Sequence, residues 1–267
     1  ASCNKCHGDL KAIQSHVPWL SQGVELYKQH GCAGCHAVHG FGQTVSIDLS
    51  EIGEKPWQLL DFTFVKGSHT LPQWIVEHFQ DPRRVTPGFR KEELPPGEEE
   101  VYPSFMPDFG LTEQEAMALT VYMLGLTEES LPAKYVIPAP TPSPEPAYAS
   151  SVEAGRAVFE KYGCVGCHGA GGLGGRKNVN AWLWEEEPPL VFVKQYYDRQ
   201  TLKELIRHGR QPVPRRDASR PTPPMYMPPW KGRISEEELD QLVEYLFSLY
   251  EHVRPSQTTV VAEEVSQ

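Results

Sequence analysis

Nowhere in its 267 residues does the sequence hold a run of about 18 apolar residues, the length a membrane-spanning helix requires. The expectation is no membrane span and no apolar core of a secretion signal, so that either the sequence is a mature form or an anchor lies outside it. Positive charge is scarce: 25 Lys and Arg stand against 35 Asp and Glu, a net charge of -10, which argues against a nucleic-acid partner. Mean hydropathy is -0.45, with 39% hydrophobic residues, a soluble composition with enough chain for two small cores. Cysteine, histidine and methionine are also few, at 6, 10 and 5 residues. Their placement carries the information.

All six cysteines fall in three copies of one pattern: Cys3-Asn4-Lys5-Cys6-His7, Cys32-Ala33-Gly34-Cys35-His36 and Cys164-Val165-Gly166-Cys167-His168. Two residues between the cysteines let both sulfurs reach one macrocycle from a single helical turn, and the adjacent imidazole reaches its iron. A C-x-x-C-H run reads as an attachment site for c-type haem, with thioethers on the cysteines and His7, His36 or His168 as proximal ligand. A redox pair needs no adjacent histidine, and a zinc knuckle needs two C-x-x-C halves some fifteen to twenty residues apart. The expected cofactors are therefore three c-type haems.

The chain is internally repeated. Gly23 to Gly31, running into the second motif, maps onto Gly155 to Gly163, running into the third, at a constant offset. The other end of each repeat also matches: Met106-Pro107-Asp108-Phe109 corresponds to Met227-Pro228-Pro229-Trp230. Each is followed by a capping box, Thr112 with Glu115 and Ser235 with Glu238, that opens an apolar-periodic helix carrying Tyr122 or Tyr245. Between the repeats, six prolines from Pro132 to Pro146 predict an extended spacer. The predicted organisation is a haem-binding segment at 1–20 leaning on the first domain, domain 1 at 21–130, a Pro-rich linker at 131–150, domain 2 at 151–254 and a mobile tail at 255–267. The fold class is mainly α, with little β-structure.

On these motifs, residues 23 to 127 and 151 to 250 each resemble a class I (mitochondrial-type) cytochrome c domain. The resemblance implies an N-terminal helix leading into the haem motif and a C-terminal helix that crosses it. It also implies that Met106 and Met227 are the sixth iron ligands, with Met225, two residues away, as the rival of Met227. Met117 and Met123 read as core filler. Residues 1 to 20 resemble sites in multihaem cytochromes, where a histidine completes the coordination; His16 ranks first, then His69 and His39. In such families haem is attached outside the cytoplasm, so the expected location is the periplasm or the extracytoplasmic face of the membrane.

Charge is uneven along the chain. Residues 1–130 hold 9 basic and 18 acidic side chains, residues 131–254 hold 16 and 15. Lys91, Glu92, Glu93 and Glu98 to Glu100 precede Met106, whereas Arg207, Arg210, Arg215, Arg216 and Arg220 precede Met227. These runs are either solvated surface or opposite fields that steer two partners. The reading is an electron carrier, not an enzyme. It takes electrons at one end and delivers them at the other, with redox proteins as partners, one of them a membrane respiratory or photosynthetic complex such as a quinol-oxidising one. The alternative is a multihaem peroxidase or reductase with one open iron.

Overall fold

The computed structural model describes residues 15–89, 91–97, 101–127, 148–182, 185–210 and 214–252. Cys3, Cys6, His7, Glu98 to Glu100, most of the linker and the tail lie outside the described residues. Among those described there are helices and isolated bridges but no strand.

Domain 1 contains α1 (Pro18–Gln29), α2 (Leu71–Gln80), the single turn α3 (Pro82–Val85) and α4 (Glu113–Leu124). The repeat predicts a helix from Gly23, but α1 starts at Pro18. Proline is pre-set for the first helical turn, and Leu20 is already buried. α1 ends at Gln29 with His30 as its C-cap, and Gly31, at φ 66°, turns the chain into the motif. The Thr70 hydroxyl caps α2 by accepting from Gln73 N, and the predicted box of Thr112 and Glu115 opens α4.

Domain 2 repeats the plan with α5 (Ser151–Lys161), α6 (Val165–His168), α7 (Val193–Tyr196), α8 (Arg199–His208) and α9 (Glu236–Ser248). Ser150 caps α5 and Asp198 caps α8. α9 has the second predicted capping box, Ser235 with Glu238.

In both domains the first helix crosses the last at a glycine. A Cβ on Gly23 would lie 2.2 Å from the Ala118 carbonyl oxygen, and one on Gly155 1.9 Å from that of Gln241. Beside each crossing sits an aromatic pair, Tyr27 against Tyr122 at 5.4 Å and Phe159 against Tyr245 at 5.6 Å. The first core gathers Leu26, Tyr27, Ile52, Ile75, Phe79, Leu119 and Met123. The second gathers Val158, Phe159, Leu202, Trp230, Leu242, Val243 and Leu246. Met123 is core, as expected, but Met117 is 43% exposed. It stands one position off the buried stripe Ala116, Leu119, Thr120 and Met123 of α4.

The domains meet motif to motif. A Cβ on Gly34 would lie 2.4 Å from the Gly163 carbonyl oxygen, and one on Gly31 2.5 Å from the Gly166 amide nitrogen. Gly31 and Gly34 are the repeat equivalents of Gly163 and Gly166, so each surface contacts the other's counterpart, as across a two-fold axis. Gln43 Nε2 donates to the Pro229 carbonyl at 3.1 Å, Arg233 donates to the Gly42 carbonyl, Phe41 stacks on Tyr162 and Arg176 covers the Phe109 ring.

Candidate haem sites

The second motif folds as a tight turn: Cys35 N and His36 N both donate to the Cys32 carbonyl, at 3.1 and 2.9 Å. Cys32, Cys35 and His36 then line one cleft with Met106, His78, Trp74 and Phe109. The cleft encloses about 980 Å³, open solvent at its mouth included. The walls are predominantly apolar, with Tyr27, Ile52, Ile75, Phe79 and Met123 supplied by α1, α2, α4 and the loop between the first two. Two thiols, an imidazole and a thioether around one apolar cavity are the donor set of a covalent haem, and the residues present fit that group.

His36 Nδ1 lies 2.8 Å from the Ile47 carbonyl oxygen. Donation there fixes the ring and its tautomer and leaves Nε2 to coordinate. Burial holds the His36 pKa below its ordinary value, partly offset by that bond, so the ring is in the neutral form that coordination needs. Burial, with the nearby His36 and Lys55, also pushes His78 down to about 4. His78 stacks on Trp74 at 4.7 Å, one helical turn earlier on α2.

The third motif closes the same way, His168 N donating to the Cys164 carbonyl at 2.9 Å. Cys164 and Met227 both pack against the second core. Burial lowers the His168 pKa to about 4, and its buried Nδ1 has no hydrogen-bond partner. The donor types of domain 1 recur here, two thiols, an imidazole and the Met227 thioether, and fit the same group, but His168 Nδ1 lacks the carbonyl anchor that His36 has. Burial pushes the Cys32 and Cys164 thiols up to about 12, so neither forms a thiolate near neutrality. The Cys35 and Cys167 thiols interact across the glycine contact, and that interaction, with burial, holds Cys167 above the usual thiol range.

A model of the family described as cytochrome c matches residues 20–127. A model described as cytochrome c oxidase, cbb3-type, subunit III matches residues 150–246. The chain is a tandem c-type cytochrome. Comparison with curated proteins and with solved structures gives no match. This cytochrome carries haem c in each of its two domains and functions in electron transfer, outside the cytoplasm as c-type cytochromes do. No helix among the described residues is long and apolar enough to cross a membrane.

The remaining expectations divide. Met106 is in the first cleft with His36. Met227 is on the second core with Cys164, whereas Met225 lines the cleft of the first domain. Of the histidines ranked for the N-terminal site, His16 is exposed and bonded to Ser15, His39 is exposed at φ 48°, and His69 is exposed and stacked on Phe62. Sequence reasoning ranked neither His78 nor Trp74; their i, i+4 spacing on an apolar helix was the available signal. The basic run before Met227 is largely engaged within its own domain: Arg207 pairs with Glu204 and Glu236, and Arg216 and Arg220 with Glu185.

Proposed function

We propose that this cytochrome is the electron-transfer subunit of an extracytoplasmic face of a membrane respiratory complex, passing single electrons between that complex and a second redox protein. The observation that carries the reading is the first cleft, where both thiols, the proximal imidazole and a methionine thioether line one apolar cavity. Haem c bound there supplies a one-electron ferric/ferrous couple. In this reading Cys32, Cys35 and Cys164, Cys167 form the thioethers, His36 and His168 are the proximal ligands, and Met106 and Met227 complete the coordination. A methionine in that position raises the potential relative to a second histidine and leaves no open iron for a peroxidase or reductase. The similarity of the second domain to subunit III of cbb3-type cytochrome c oxidase favours an oxidase as the membrane partner; a quinol-oxidising complex is the other candidate.

A third haem is proposed on Cys3, Cys6 and His7, with His16 as its distal ligand ahead of His69 and His39. The proposed domain bounds are those of the repeat: 21–130 and 151–254, joined by the Pro-rich segment at 131–150, with the haem-binding segment before them and the tail after.

Intact mass of the holoprotein tests the count, and carbon monoxide added to the reduced protein tests the coordination. Carbon monoxide binds ferrous haem only at an open or easily vacated position. The reading expects the mass of three attached haems and an unchanged spectrum. A carbonyl spectrum worth one haem would transfer the assignment to a multihaem enzyme.

A further inference from the structure

Met225 belongs by sequence to domain 2, yet it lines the domain 1 cleft beside Met106, Phe109 and His36. It is held there by a buried side chain. Met225 N donates to Asn178 Oδ1 at 2.7 Å, and Asn178 Nδ2 donates to the Met225 carbonyl at 3.3 Å and to Glu187 Oε1 at 2.6 Å. Asn178 is 6% exposed and Asn180 is fully buried. Asn180 ties down the same loop upstream, donating to the Asp217 and Thr222 carbonyls and accepting from Asp217 N. Both buried amides thus fix the segment that presents Met225.

The surroundings are equally fixed. Gly166 lines the same cleft and packs on Gly31, and Arg176 lies 4.8 Å from the centre of the Phe109 ring on the opposite domain. The first cleft is therefore closed on one side by domain 2.

We infer that Met225 is a cross-domain wall of the first haem site: its thioether excludes water there and raises the reduction potential of domain 1, so the docked second domain tunes the first. The inference rests on the reading that Cys32, Cys35 and His36 hold haem in this cleft. The ferric state carries one more positive charge than the ferrous, so admitting water favours it and lowers the potential. Met225 acts as packing, not as an iron ligand. Met225→Ser shortens the side chain and admits water, whereas Met225→Leu preserves the apolar volume.

The test is a potentiometric titration of the holoprotein carrying Met225→Ser or Met225→Leu, with Met106→His and Met227→His marking the transitions of domains 1 and 2. The expected result is a downward shift, in Met225→Ser alone, of the transition marked by Met106→His, with the transition marked by Met227→His unmoved. A shift in the latter transition, no shift at all, or loss of a methionine-to-iron charge-transfer absorption in Met225→Ser would overturn the inference. If Met106→His marks no transition, the ligand assignment fails. Met225 is then judged on whether Met225→Ser moves a transition other than the one marked by Met227→His.

Discussion

An imidazole in place of a thioether on iron stabilises the ferric state, so Met106→His is expected to lower one midpoint potential and leave the others. Redox titration reads this, and an unchanged set of midpoints contradicts Met106 as a ligand. Glu77, behind the cleft wall, tests stability at the same scale. Burial raises its pKa, but donation from Lys66 N, Gln73, Gly67 N and Arg84 outweighs burial and holds it at about 2, below the ordinary 4.5. A depressed folded-state pKa contributes stability above the unfolded value and loses it as pH falls through the folded one. Glu77→Gln is therefore expected to cost about 1.5–3 kcal/mol at neutral pH, a gap that closes between pH 4.5 and about 2. Denaturant unfolding at several pH values measures it, and a pH-independent gap contradicts the account.

At the scale of elements, the helix crossings depend on the absence of a side chain. Gly155→Ala places a Cβ against the Gln241 backbone carbonyl, which cannot rotate away, and is expected to destabilise domain 2 by about 1–3 kcal/mol. Thermal unfolding should show the loss, with Gly23→Ala doing the same in domain 1; wild-type stability in both would remove the crossing from the account. Much of this level was legible. The haem motifs, the repeat and both capping boxes are local patterns whose chemistry needs only neighbours in sequence. The alignment of Gly23 with Gly155 and of Tyr122 with Tyr245 was also visible. What makes those glycines necessary was not, because the clash partner lies about ninety residues away.

At the scale of the molecule, the domains meet through backbone at Gly31, Gly34, Gly163 and Gly166, with Cys35 and Cys167 in contact. Residues that pack by lacking a side chain leave no periodic signal, so sequence reasoning could not foresee the contact. For the same reason Met225 looked like a rival of Met227 rather than part of the other domain's cleft. The arginines before Met227 were open to reading as solvated surface or as a steering field because two of their glutamate partners, Glu185 and Glu236, are distant in sequence. Gly34→Val is expected to part the domains, splitting one calorimetric unfolding transition into two; a single unshifted transition contradicts the contact.

The central claim is that both repeats hold a six-coordinate, methionine-ligated haem that exchanges electrons. Its most direct measurement is the methionine-to-iron charge-transfer absorption of the oxidised holoprotein, compared with Met106→His and Met227→His. The account predicts that each variant loses one of two equal contributions and that the double variant loses the absorption entirely. Full intensity in either single variant would contradict it.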